Sequence, residues 1–495
     1  MKEGIKKHCL IIAIILMGVA LRIGYSQVQL NPLINDNAKN AWEATRFLDN
    51  PGLKTLFNVP GHLELFSFAL LFKVLGNNAL AYNLLGIIQY IILSVFFSLV
   101  IKKVSGLKAA LVASFLFAFS PPVFALNSVF WSGHSRSAMF TWIIFYLFCL
   151  LWEKTTVKRF LVLACLGGIS LTTAQITQPI AIALATSLTL LFLKDRKSFA
   201  RREFFVFLIV FTVSFLIFLY FNRAFDSWVY KSIGKREFFN LNLDFFKRFV
   251  HLLRVSFTIA GVNSTYQLKV GFQNELTKII YGLIFSLPVP FWLFMNRKVI
   301  FKVPPQMLVF PLYLLVFFSV YALTRFSVAT RYYLTVIPFY IYFLSDCLVK
   351  LTESNIKRIK ILGFCAFFSI FSFSVANNLH FYPSAYKGIF ELIRFAKQNN
   401  IRAIFTNYHM QFALVFYSHG TIAASSPFHP LINPGGELDA TVRNAPSISY
   451  LFEGKVSSLF EECLKEKKVA YQQRNFDRLA LYYGLSKRLV PDECP

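Results

Sequence analysis

The sequence predicts a multispan α-helical membrane protein of about eleven transmembrane helices, followed by an extracytoplasmic α/β domain. Three observations point there. The 495 residues are 56% hydrophobic, include 58 Phe and have a mean hydropathy of +0.54, above the roughly 45–50% apolar share of soluble domains. Apolar stretches of roughly 18–22 residues recur along the first three quarters of the chain, long enough to cross a ~30 Å hydrocarbon core as helices. Beyond residue 377 the pattern changes to short helical and strand-like runs separated by Gly/Pro loops.

The spans fall at 9–25, 79–101, 107–130, 138–152, 160–173, 179–193, 204–221, 276–295, 307–323, 332–349 and 359–375. The turns 102–108, 153–159, 194–202, 297–302 and 350–360 are rich in Lys and Arg, as is the start, "MKEGIKK". Every second connection is therefore basic. By the positive-inside rule the N-terminus is cytoplasmic, and Asp36 and the C-terminal domain lie on the outer side of an inner (cytoplasmic) membrane. No small-residue cleavage site follows Tyr25, so the first span reads as a signal anchor. The net charge of +27 sits largely in short membrane-flanking turns rather than on one continuous face, which argues against a nucleic-acid partner.

Three outer segments are long. Within residues 1–376, the first loop is 27–78 and the second is 222–275; the third segment is the domain at 377–495. In the first loop, "WEATRFLDN" has helical spacing, "NPGLKTLFNVPG" is a turn region, and "GHLELFSFALLFKVLG" reads as an interfacial or re-entrant helix. In the second, "LDFFKRFVHLLRVSF" interleaves Lys247, Arg248, His251 and Arg254 with apolar residues at i, i+3/i+4 spacing, as in a basic helix lying on a leaflet. The third alternates "GIFELIRFAKQNN" (helix), "IRAIFTN" (strand), a helix, "TIAAS" (strand), "KVSSLFEECLKEKK" (helix) and "VAYQQ" (strand), a small α/β domain.

Cys9, Cys149, Cys165, Cys347 and Cys365 fall inside spans and read as small buried apolar residues. Cys463 and Cys494 are the exterior pair, placed to form a disulfide in an oxidising compartment. No zinc-type Cys/His spacing, G-x-x-x-x-G-K loop, G-x-S-x-G elbow or internal repeat is present.

The order of features is more specific than any one of them. An Asp soon after the first span, then "VPGHLELFSFALLFKVLGNNALAYNLLGII", "SPPVFALNSVFWSGHSRSAMFTWIIFYLF" and a late "RYYLTVIPFYIYFLSD" resemble the GT-C superfamily of membrane glycosyltransferases over residues 10–349. The nearest branch is that of the dolichyl-phosphate-mannose protein mannosyltransferases and the bacterial lipid A aminoarabinose transferases. The resemblance implies a GT-C-like fold with outer-face helices in the first loop and an active site at the membrane–exterior boundary. It also implies a polyprenyl-phosphate-linked sugar as donor and a glycan, lipid or protein as acceptor.

Moving a sugar off a lipid phosphate needs a carboxylate to take the acceptor's proton and cations to stabilise charge on the departing phosphate. The resemblance assigns the first task to Asp36. Many relatives carry a second acid beside it; here the neighbours are Asn35 and Asn37. Asp36 equally suits an N-cap of "NAKNAWEATRFL". Glu43, one similar helix face further on, either orients substrate or is solvated. Glu64, next to His62 in the interfacial helix, lies where relatives contact donor or acceptor. His134 and Arg136 in "SGHSRS" occupy an outer turn where relatives often carry an acid, and are either donor contacts or part of a hydrated turn.

For the donor phosphate the first candidate is Arg331 in "TRYY", at the outer start of a Pro338-containing span, and the second is Arg325. The alternative for both is snorkelling in an aromatic belt. No cofactor and no divalent metal is expected, since the first loop holds no acid cluster. A transporter is disfavoured because most spans are uniformly apolar. A lipid-linked glycan polymerase or ligase, and a non-catalytic membrane receptor or assembly protein, remain the alternatives.

Overall fold

The computed structural model describes residues 2–28, 33, 35–52, 62–120, 123, 134–173, 178–194, 202–224, 247–248, 280, 283–284, 286–296, 305–322, 335–379, 388–427, 437–454 and 456–491. Two compact units emerge. The first comprises Met1–Tyr25, Leu53–Glu64 and Asn83–Tyr382, and the second Ser26–Gly52, Leu65–Tyr82 and Pro383–Pro495. Where the sequence divides the chain near residue 377, packing groups much of the first loop with the C-terminal domain.

The first unit is helical. Its described helices are α1 (Lys2–Val28), then, after α2 (Asn35–Asp49) and α3 (His62–Leu75) of the first loop, α4 (Ala79–Phe119), α5 (His134–Glu153), α6 (Val157–Thr173), α7 (Gln178–Lys194), α8 (Arg202–Ala224), α9 (Pro288–Met295), α10 (Pro305–Ala322), α11 (Ile337–Thr352) and α12 (Lys357–Leu379). A helix overlaps every predicted span. Among the described residues, Ala79–Phe119, His134–Glu153 and Lys357–Ala376 are long and apolar enough to cross a membrane, and four shorter apolar helices accompany them. The count of eleven therefore stays an expectation.

Helix α4 contains two predicted spans, and Gly106 separates them with φ 86°, ψ 176°. Only glycine adopts that backbone without strain. The Ser98 and Ser114 hydroxyls lie 2.7 Å apart and the Phe97 and Phe117 rings stack at 4.7 Å; in one straight helix residues 16 apart would be ~24 Å apart. The chain thus turns back at Gly106 as an antiparallel hairpin. Around it, Trp142 of α5 packs edge-on to Phe97 (4.7 Å) and beside Phe310 and Phe339, and Tyr313 stacks on Phe339 at 4.4 Å. Interlocking rings suit helices that must associate by packing rather than by expelling water.

The basic turns gather at one end of this unit. Lys103 pairs with Glu153 (2.5 Å) and Lys108 with Glu353 (2.5 Å). Lys194 donates to the Trp152 carbonyl and sits over its ring. Lys350 and the Trp292 indole N–H both meet Asp346, at 2.8 and 2.7 Å. Turns that the charge pattern assigns to one side are joined to each other in space.

In the second unit, α13 (Ile389–Gln398), β1 (Ala403–Phe405), α14 (Tyr408–Tyr417), β2 (Ala423–Ser425), α15 (Glu437–Asn444), β3 (Ser449–Glu453), α16 (Val456–Glu466), β4 (Gln472–Phe476) and β5 (Leu479–Tyr483) follow in order. The sheet runs β2-β1-β3-β5-β4, with β2, β1 and β3 parallel and β5 antiparallel to both β3 and β4. Phe405, Tyr450, Phe460, Leu464 and Tyr482 form its core. The Asn407 side chain caps α14 by accepting from Met410 N–H at 3.1 Å. Cys463 is disulfide-bonded; Cys494, the partner nominated by the sequence, lies outside the described residues. The five span cysteines are free thiols.

Candidate active site

Asp36 belongs to the first turn of α2, which begins at Asn35. The sequence expects Asp36 at the cap, with the helix starting at Asn37; the helix instead starts two residues earlier, and a carboxylate in this turn is still favoured by the positive end of the helix dipole. Its side chain lies outside the described set.

What holds α2 is well defined. Ala38, Ala41 and Ala44, all fully buried, recur every three residues and so share a face. Helix α2 also packs against α14, where Lys39 lies 5.9 Å over the Phe412 ring. On either side of Asp36, Leu33 N–H donates to the Tyr417 hydroxyl at 2.7 Å, and the Tyr82 hydroxyl donates to Asn37 Oδ1 at 3.0 Å. Tyr82 is itself fixed by a stack on Phe68 at 4.2 Å. Burial pushes the Tyr417 hydroxyl above the ordinary phenol range, so it stays protonated. At the far end of α2, Arg46 pairs with Glu437 at 3.0 Å. Glu43 is partly buried, and desolvation raises its carboxyl pKa; Arg46 and Lys39 pull the other way, and Glu437 adds to the rise.

In the first unit, Glu64 and Arg136 form a buried ion pair, their side chains 4% and 2% exposed. Glu64 lies in the first turn of α3. Arg136 and the buried His134 open α5. Because α5 ends at Glu153 among the basic turns, Arg136 stands ~25 Å away along its axis, at the opposite end. The sequence treats Glu64 and Arg136 as separate substrate contacts; the structure joins them, far apart in sequence as they are.

The His62 side chain, Arg325 and Arg331 lie outside the described residues, as does most of the second loop beyond Lys247 and Arg248. Among the described residues no three His, Cys, Asp or Glu side chains converge.

One buried cation escapes sequence reasoning. Arg22 of α1 is fully buried, donates to the carbonyls of Gly18 (2.9 Å) and Ala118 (3.2 Å) and lies 3.6 Å over the Tyr90 ring. It ties α1 to both arms of the α4 hairpin. A charge inside an otherwise apolar span was the available signal.

This arrangement of helices with a small sheet is a fold found among solved structures. Among solved structures, ArnT from Cupriavidus metallidurans bound to undecaprenyl phosphate is similar with a TM-score of 0.61 at 10% identity, over 97% of this chain and 98% of that one. Apo ArnT from the same organism gives 0.62 at 12% identity over the same shares. The Archaeoglobus fulgidus oligosaccharyltransferase AglB, in complex with an inhibitory peptide and a dolichol-phosphate, gives 0.52 at 11% identity, over 98% of this chain and 74% of that one. No family model and no curated protein sequence matches the chain.

Proposed function

We propose that this protein is an integral-membrane glycosyltransferase that moves a sugar from a polyprenyl-phosphate donor to an acceptor on the outer face of the membrane, with Asp36 as general base. The observation that carries the reading is the likeness, over nearly the whole of both chains, to a structure that holds undecaprenyl phosphate. In the proposed step the Asp36 carboxylate takes the proton of an acceptor hydroxyl or amine. The freed electron pair forms the bond to the anomeric carbon, while the bond from that carbon to the phosphate oxygen breaks and leaves its pair on the polyprenyl phosphate. Asp36 supplies the base catalysis; Arg331 and Arg325 supply the charge that stabilises the departing phosphate.

The buried pairing of Glu64 with Arg136 changes their proposed roles. A guanidinium already facing a carboxylate in a dry site is a weak phosphate ligand, so the pair serves to fix the start of α5 and its His134. The reading is tested by incubating the purified full-length protein with a panel of polyprenyl-phosphate sugars, beside Asp36→Asn. Sugar transfer by the native chain and its loss in the variant are expected. Equal product from both would overturn the assignment of the base, and no turnover of any donor would favour a receptor or assembly role.

A further inference from the structure

We propose that the second unit is a positioning device for the base, with Tyr417 of the C-terminal domain and Tyr82 of α4 as positioning residues that hold the start of α2. The inference rests on the reading of Asp36 as base.

Its ground is that the residues on both sides of Asp36 are each tied by a tyrosine hydroxyl. Leu33, itself 2% exposed, gives its N–H to Tyr417 at the end of α14, and Asn37 accepts from Tyr82. Neither tie belongs to the helix's own hydrogen-bond ladder, and α2 packs against α14 besides. A helix held by packing alone can still slide or rotate. The two hydroxyl ties, one just before α2 and one in its first turn, remove that freedom around the carboxylate. Further along, the Trp42 ring edge meets Gly420 so closely that a Cβ there would lie 3.3 Å from it, and Arg46 is paired with Glu437. The domain thus contacts α2 along its length and does more than cover it.

Tyr417 is a sensitive place to probe this. Its ring packs edge-on to Phe390 at 4.9 Å and beside Phe416 at 5.1 Å, contacts that Phe retains. Tyr417→Phe therefore removes the tie and leaves the packing. Displacement of a catalytic group by about 1 Å can cost on the order of a hundredfold in rate; a loosened turn is expected to cost less, about tenfold.

The test measures kcat and KM for donor and acceptor in full-length native protein, Tyr417→Phe, Tyr82→Phe and the double variant, with Asp36→Asn as reference and thermal unfolding as a check on folding. The expected result is a kcat lower by about tenfold in each single variant and lower still in the double, with both KM values within about twofold and the apparent pKa of the acid limb of the pH–rate profile unchanged, because the base is the same group. Native kcat in both single variants, with Asp36→Asn inactive, would overturn the positioning role and leave the base assignment standing. Full activity in Asp36→Asn would overturn the base assignment and this inference with it. If either tyrosine variant fails to fold, the other decides the outcome alone.

Discussion

Glu64 of α3 and Arg136 of α5 face each other as an ion pair with both side chains almost fully buried. Removing two charges from water is costly, and their mutual attraction repays it only while both are present. The pair is consequently a coupled unit. Glu64→Gln and Arg136→Met should each lower stability by about 3–5 kcal/mol, because each leaves one buried charge uncompensated. The double variant should recover much of that loss. Thermal or denaturant unfolding of the four proteins in one detergent forms the cycle. Losses that simply add would show that the two side chains do not depend on each other.

The same pair marks what could be read in the sequence and what could not. Residues 79–130 were legible as two spans because "IKKVSGLK" interrupts them with charge and a glycine, and Gly106 is where the chain turns. In the C-terminal domain, α13, β1, α14, β2 and α16 stand where the apolar periodicity puts them. Strands β3 and β5 escape it, since "SYLFE" and "LALYY" are buried or nearly so along their length and show no alternation. The candidate acids and cations of the first unit were visible as residue types. Their pairing was not, because no local pattern records which side chain a distant helix brings opposite. The ties around Asp36 are of the same kind: Tyr417 is an ordinary aromatic in its own helix, and only the folded chain sets its hydroxyl against Leu33 N–H.

Glu43 offers a pH test outside the membrane-spanning segments. Desolvation raises its carboxyl pKa in the folded chain, and neighbouring Glu437 adds to the rise against Lys39 and Arg46. The folded state then holds the proton more tightly than the unfolded state. Its contribution to stability therefore falls as pH rises from the ordinary carboxylate value through the raised folded one, and the penalty is fully present above it. Glu43→Gln, neutral at every pH, should remove that component. The variant should gain on the native protein in melting temperature at neutral pH and lose the gain near pH 4. A constant difference across that range would show that Glu43 titrates alike in both states.

Transfer should proceed without a divalent metal. The first loop places Asn35 and Asn37 beside Asp36, where a second carboxylate would be needed to share an ion. Glu64, the acid in the first turn of α3, is already engaged by Arg136, and a carboxylate neutralised by a guanidinium has little charge left to offer a hard cation, which seeks several anionic oxygens. On the proposed reading, stabilisation of the departing phosphate is expected from arginine side chains, whose fork suits two phosphate oxygens at once. Two arms separate the cases. In membranes treated with excess chelator, native transfer is expected at an undiminished rate, while Arg331→Ala and, less severely, Arg325→Ala are expected to lower kcat by ten- to a hundredfold, in keeping with the order of magnitude lost with one preorganised charge-stabilising donor. Complete loss in chelator, restored by adding Mg²⁺ or Mn²⁺, would instead place a metal ion at the phosphate and make the arginines accessory to it.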